Sequence, residues 1–207
     1  MSTDNPIERA KQLYEQAVFG GDADALTLAE RELDTAEADL ALARGRVLHA
    51  RFLQHRQEDP RELPLFEQAA EQYRRLGNTR GEAEALFWIG CFHQVVRDDH
   101  ATGRPTLERS YELSEGDDLT RSYAVRHLGF ADQAAGDLAA ARRRFEESVL
   151  LRRNLGWEPG IAAGLLALAY LEGGDQGRAL LDEAETLARN SESHGVLSWI
   201  DQARGAL

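Results

Sequence analysis

Apolar residues along the chain recur at intervals of three and four, in segments separated by glycine, proline and capping residues. Asn5-Pro6-x-Glu8 and Asp59-Pro60-x-Glu62 each combine a capping side chain, a first-turn proline and an acid three residues after the cap, which is typical of a helix start. Thr79-x-x-Glu82 is a capping box, and Gly136-Asp137 and Gly174-Asp175 join one helix end to the next helix start. The pattern predicts successive helices of about 12 to 18 residues with short connections.

The chain also repeats itself. Residues 66–90 match residues 145–169 at an offset of 79, with eight identities in 25 positions. One further unit lies between these two copies, so the offset corresponds to two repeats of about 40 residues. The apolar anchors of successive units are spaced by 41, 39 and 40 residues: Leu48, Ile89, Leu128 and Leu168.

One unit carries a family pattern in full: a large residue, Leu-Gly, a turn, and then a small residue, an aromatic and a second small residue on the next helix. These residues are Val125-x-x-Leu128-Gly129, Gly136-Asp137, Ala141-x-x-x-Phe145 and Ser148. Residues 83–113 follow the pattern more loosely, as Leu86-x-x-Ile89-Gly90 with Leu107 and Ser110. The chain therefore resembles the tetratricopeptide repeat family, in the long-repeat branch of bacterial regulators and cell-polarity adaptors.

The resemblance implies one all-α domain over residues 1–207, a right-handed α-α superhelix of about five helical hairpins. Ser193 is predicted to cap a terminal helix, residues 193–205, with Val196, Trp199, Ile200 and Ala203 on the face that covers the last repeat. The five predicted repeats are residues 5–33, 36–76, 79–115, 118–154 and 159–190.

Composition agrees with a helical protein and narrows the class of partner. Ala, Leu, Glu and Arg supply 104 of 207 residues, against 19 for Val, Ile and Thr together. The net charge of −12 argues against nucleic acid as a ligand. The longest apolar stretch, 161–171, is too short for a membrane span. A single cysteine, Cys91, and the polar N-terminus predict a cytoplasmic protein, and 23 arginines against one lysine indicate a GC-rich bacterial genome.

In tetratricopeptide proteins, the first helix of each repeat lines a concave groove, and the resemblance implies which residues lie there. Aromatic rings and arginine are unusual on a solvated helix face and suit ligand recognition, since arginine can hold a carboxylate by two parallel hydrogen bonds. An alternative is that the rings pack against neighbouring repeats. The implied groove residues are Arg46 and Leu53; Glu84, Phe87, Cys91 and Gln94; Tyr123, Arg126, Phe130 and Gln133; and Leu166 and Tyr170, with Ala43 and Ala50 beside the first two.

The sequence contains no nucleotide-binding, zinc-protease or serine-hydrolase motif. His93 and His100, with Asp98 and Asp99 between them, span a predicted turn and are better explained as solvated residues than as metal ligands. Cys91 and His93 point about 200° apart on a helix and do not form a nucleophile–base pair. We therefore predict no catalytic residue, no metal and no cofactor. Glu84 and Arg126 are expected to approach each other across adjacent first helices.

Three functional hypotheses follow. The first is a non-catalytic adaptor or regulatory module that binds a protein or peptide segment in its groove. The second is a small-molecule sensor, or an unusual all-α biosynthetic enzyme, that uses Glu84, His93, Arg126 and His127 as polar groups in the same cavity. The third is self-association, in which another copy of the chain covers the exposed aromatic residues.

Overall fold

The computed structural model describes residues 5–205 as ten α-helices, with no strand in that range. Each helix follows the previous one after a short connection, as the sequence predicts. The helices are α1 (Pro6–Gly20), α2 (Ala25–His55), α3 (Glu62–Leu76), α4 (Thr79–Val95), α5 (His100–Leu113), α6 (Asp118–Ala134), α7 (Leu138–Asn154), α8 (Glu158–Glu172), α9 (Gly174–Asn190) and α10 (His194–Arg204).

Local capping explains several of these boundaries. The Asn5 side chain accepts a hydrogen bond from the Ile7 amide at 3.0 Å, with Pro6 in the first turn of α1. Asp137 caps α7 by accepting from the Ala140 amide at 2.9 Å. These two starts confirm the sequence prediction.

Three other predicted starts are displaced by one or two residues. Asn78, and not Thr79, caps α4, and its side chain accepts from the Gly81 amide. The Asp59 carboxylate binds the Arg61 amide and side chain, so it closes a turn before α3 begins at Glu62. Gly173, with a φ of 64°, precedes α9, which places Asp175 inside the first turn and not at the cap. Neighbouring turn residues can each accept a hydrogen bond from the unpaired amides of the first helical turn. The hydrogen bonds in the structure therefore decide where each helix begins.

Consecutive helices pack against each other throughout the described residues, which confirms an all-α stack of helical hairpins. We call α4, α6 and α8, with the C-terminal half of α2, the first helices; α3, α5, α7 and α9 are the second helices. First helices of adjacent hairpins also touch, as α2 does with α4 and α4 with α6. The stack therefore presents one continuous face of first helices.

A glycine on each of three first helices receives a large side chain from the second helix of the same hairpin. A methyl group at Gly129 would lie 2.5 Å from the Phe145 ring, and one at Gly90 would lie 2.5 Å from Leu107. Gly45 meets Phe66 in the same way, at 2.4 Å. Each large side chain is fully buried, so this contact sets the helix separation within the hairpin.

The N-terminal part departs from the prediction. No unit ends at residue 33, because α2 runs unbroken for 31 residues, from Ala25 to His55, and so belongs to two successive hairpins. The Leu48 anchor was also wrong. Gly45 faces Phe66 as Gly129 faces Phe145, so the residue equivalent to Leu128 is Arg44, four positions before Leu48.

The terminal helix α10 covers the last hairpin, with Val196, Ile200 and Ala203 buried in the same cluster as α8 and α9. Trp199 was predicted on that face but is 47% exposed. On a helical wheel residue 199 lies about 60° to one side of residue 196 and about 100° from residue 200, so the indole is at the edge of the contact. Within residues 5–205, no helix combines the length and the apolar character that crossing a bilayer would require.

Candidate functional site

The first-helix face carries two separate hollows, and eight of the twelve predicted groove residues line them. The smaller, which we call the upper hollow, has a volume of about 200 Å³. The larger, which we call the lower hollow, has a volume of about 420 Å³ and is open to solvent. Arg46, Glu84, Phe87 and Tyr123 line the upper hollow, and Gln94, Arg126, Phe130 and Gln133 line the lower one.

The upper hollow combines an ion pair with a wall of packed rings. Arg46 donates to the Glu84 carboxylate at 3.2 Å, and its guanidinium carbon lies 5.7 Å from the centre of the Trp88 ring system. This pair corrects the expectation that Glu84 approaches Arg126. Phe87 is only 2% exposed, and its ring centre lies 5.0 Å from that of Trp88 and 5.2 Å from that of Tyr123. Phe87 therefore has the packing role that the sequence left open.

The lower hollow is bounded by a hydrogen-bonded wall centred on Gln94. The Gln94 amide group donates to the His127 carbonyl oxygen at 2.9 Å and approaches His100 Nδ1 at 2.9 Å. Gln94 Oε1 lies 2.6 Å from His127 Nδ1, which acts as the donor. Both amide hydrogens of Gln94 are thus used within the protein, so this residue positions the wall and has no free donor for a ligand.

The buried His127 is neutral. Burial, reinforced by the nearby Arg126 and Arg152 guanidinium groups, lowers its pKa well below the ordinary histidine value. A neutral imidazole donates from one ring nitrogen only, and His127 Nδ1–H is committed to Gln94. His127, which lines the lower hollow, therefore keeps an unprotonated Nε2, which is a hydrogen-bond acceptor.

Arg126 is a charged residue of this face that has no carboxylate partner in the part of the chain that the structure describes. Its guanidinium carbon lies 4.6 Å from the centre of the Phe130 ring, and its Nη2 donates to the Ala163 carbonyl at 3.2 Å. The Nε atom is buried and has no hydrogen-bond partner. Burial lowers the pKa of Arg126 to about 10, which leaves it charged at neutral pH. Among residues 5–205, no carboxylate forms an ion pair with it.

A second buried cation, Arg152, lies behind Tyr123 and was not predicted. It is 2% exposed, and its guanidinium carbon lies 5.2 Å from the ring centre of Tyr123 and 5.3 Å from that of Trp157. It donates to the Gly160 carbonyl at 2.7 Å and to Ser122 Oγ at 3.3 Å. Burial lowers its pKa to about 9, so this face holds two positive charges that lack carboxylate partners.

The remaining four predicted groove residues lie outside both hollows. Leu53 is 44% exposed, near the C-terminal end of α2. Its predicted place in the groove follows from Leu48 as the anchor, and with Arg44 as the anchor it is no longer a groove position. Leu166 is buried in the core around α8, and Tyr170 is half exposed, away from the hollows. Cys91 is buried with Phe87, Leu107 and Leu128.

The corrected register places His49 on the first-helix face, where it meets Cys91. The His49 Nε2 atom lies 3.8 Å from Cys91 Sγ, and Nδ1 lies 2.8 Å from a carboxylate oxygen of the fully buried Glu62. Glu62 takes the place that Gly103 and Ala141 hold in later hairpins, four residues before the buried anchor. Burial raises the pKa of Cys91 to about 12, so this thiol is protonated and shielded from substrates.

His93, a candidate polar group of the second hypothesis, lines neither hollow. In the part of the chain that the structure describes, no three His, Cys, Asp or Glu side chains are grouped to hold a metal ion. His100, once considered as a ligand, is instead bound to Gln94.

Comparison with known proteins does not assign the chain to a family. No protein-family model matches the chain, and no curated protein matches it at a significant level. The two hollows and the charges beside them are therefore the features that bear on function.

Proposed function

We propose that the chain is a non-catalytic tetratricopeptide-type module, an adaptor or regulatory protein of the cytoplasm, that binds a protein or peptide segment across its first-helix face. The observation that carries this proposal is Arg126, a half-buried cation that lines the open lower hollow and whose buried Nε has no hydrogen-bond partner within the described residues. A buried charge is costly unless it is paired. A carboxylate from a ligand would satisfy it through a charge-assisted hydrogen bond.

The spacing of the hollows supports an extended segment as that ligand. Tyr123 in the upper hollow and Phe130 in the lower one are seven residues apart on α6, a rise of about 10 Å. A segment in the extended polyproline II conformation advances about 3.1 Å per residue with three residues per turn, so side chains three positions apart lie on one face and would reach both hollows. We expect an acidic group near Arg126 and an apolar or aromatic side chain against Trp88 and Tyr123.

The test is capture of partners from cell lysate by the immobilised chain, identified by mass spectrometry, followed by titration of peptides from the captured protein. Arg126→Gln should weaken binding by at least about tenfold, as expected for an arginine at the centre of a binding site. Arg143→Gln, an exposed arginine on α7, is the matched control and should bind as wild type does. Equal affinity of Arg126→Gln and wild type, with both folded by circular dichroism, would remove the assignment.

The volume of the lower hollow favours a second candidate, a small-molecule sensor. Its 420 Å³ lie within the range of about 300 to 1,000 Å³ that small ligands occupy, and His100, His127 and Gln133 add polar groups. Native mass spectrometry of the purified chain separates the two functions. A co-purifying compound of a few hundred daltons would favour the sensor, whereas a bound polypeptide would favour the adaptor.

A further inference from the structure

The long helix α2 exposes a row of apolar side chains at an interval of seven residues. Leu26, Leu33, Leu40 and Val47 are 50, 40, 50 and 54% exposed. Residues that repeat every seven positions form one stripe along a helix, as each of the two apolar positions of a coiled-coil heptad does. The core residues of α2, such as Ala38, Ala41 and Gly45, face α3 and α4 instead. The row therefore needs a partner that the rest of the hairpin stack does not supply.

The charges beside this row divide α2 into an acidic and a basic half. Residues 25–39 contain five acids and one arginine, whereas residues 40–55 contain three arginines and no acid. Four of these side chains follow the apolar row at the same seven-residue spacing: Glu30, Glu37, Arg44 and Arg51. All four are exposed, and none forms an ion pair within residues 5–205.

We propose that α2 pairs antiparallel with α2 of a second copy of the chain, about a two-fold axis near Leu40. In this register Leu33 lies across from the partner's Val47. Glu37 then lies beside the partner's Arg44, and Glu30 beside the partner's Arg51. Each of these contacts occurs twice by symmetry. A parallel pair would place Glu30 against Glu30 and Arg51 against Arg51, so the charges select the antiparallel arrangement.

The surface around Val47 has room for the partner helix. A cavity of about 650 Å³ lies between α2 and the start of α3, lined by Val47, Leu48 and Leu65 with Arg44 and Arg51. Helix α1 packs near the other end of α2, against Ala25 and Ala29, and leaves this cavity open. The partner's Leu33 would enter it with Glu30 and Glu37 facing the two arginines. The 31 residues of α2 span about 46 Å, enough for a long interface.

The first test measures mass in solution by light scattering and sedimentation over a range of protein concentrations. Wild type should approach twice the chain mass of 23.0 kDa. Arg44→Glu/Arg51→Glu should raise the dissociation constant by at least about tenfold, because four interchain attractions become repulsions. Glu30→Arg/Glu37→Arg should do the same. An equimolar mixture of the two variants should form a heterodimer, which also shows that each variant is folded.

The second test fixes the orientation with a short bismaleimide. Leu40→Cys should cross-link to itself, and Leu33→Cys should cross-link to Val47→Cys when the two are mixed but not to itself. Wild type, whose Cys91 is buried, and Leu150→Cys, exposed on α7, are the controls. A monomer at every concentration, an unchanged mass in both charge variants, or self-cross-linking of Leu33→Cys would overturn the proposal. A different protein bound along α2 with no dimer present would do so as well.

Discussion

The close approach of α6 and α7 at Gly129 gives a quantitative test of how the hairpins pack. A methyl group at this position would lie 2.5 and 2.7 Å from two atoms of the Phe145 ring, which is fully buried. Overpacking of this kind costs about 1–3 kcal/mol, whereas replacing a helical glycine by alanine gains about 1 kcal/mol. The difference between these two figures predicts that Gly129→Ala lowers the free energy of unfolding by up to about 2 kcal/mol.

Urea unfolding followed by circular dichroism measures this loss by linear extrapolation. Gly195→Ala is the matched control, because a methyl group there meets no atom within 4 Å and should be neutral or stabilising. In a Phe145→Ala background, the cost of Gly129→Ala should disappear, which gives a coupling energy of about 1–3 kcal/mol. If Gly129→Ala proves as stable as Gly195→Ala, the ring contact does not set the helix separation.

Two further predictions concern buried titratable groups. The unfolded chain takes up a proton at His127 as the pH falls through about 6.5, while the native imidazole, with its lowered pKa, does not; stability is therefore lost on acidification. His127→Gln should reduce the loss between pH 7.5 and 5.5 by about 1 kcal/mol, measured by urea unfolding at both values, and equal losses would contradict it. Because burial raises the pKa of Cys91 to about 12, iodoacetamide at pH 8 should alkylate the native thiol at least about a hundredfold more slowly than the thiol in urea; similar rates would place Cys91 at the surface.

The sequence predicts the later hairpins well because their packing signal is local. Leu128-Gly129 and Phe145 lie in consecutive helices joined by one turn. Their contact requires a residue without a side chain at position 129, and glycine at that position can be read from the sequence. The N-terminal hairpins carry a weaker signal. The predicted boundary at residue 33 depends on Leu13, Gly21-Asp22 and Leu33, yet no proline or paired glycine interrupts residues 25–55. An alanine-rich segment without such a break continues as helix.

The candidate site was predictable in its position but not in its burial. Helical spacing identifies which side chains of α2, α4 and α6 share a face, and so finds Arg46, Tyr123 and Arg126. Whether a ring on that face is open or covered depends on the separation of neighbouring hairpins, which covers Phe87. The burial of Arg152 depends on Tyr123 of α6 and on Trp157, which caps the start of α8. Nothing in the arginine-rich sequence of α7 distinguishes this residue.

The continuity of α2 changes how the N-terminal end of the stack comes apart. In a repeat array whose units are separate, an end unit frays alone, since it is held only by its neighbour. Here the first hairpin shares its helix with the second, so melting residues 25–39 shortens the segment that α3 and α4 pack against. We therefore expect amide hydrogens in both halves of α2 to exchange together. Helix α1 packs on α2, which carries Arg46. Removing α1 would therefore also weaken the wall of the upper hollow.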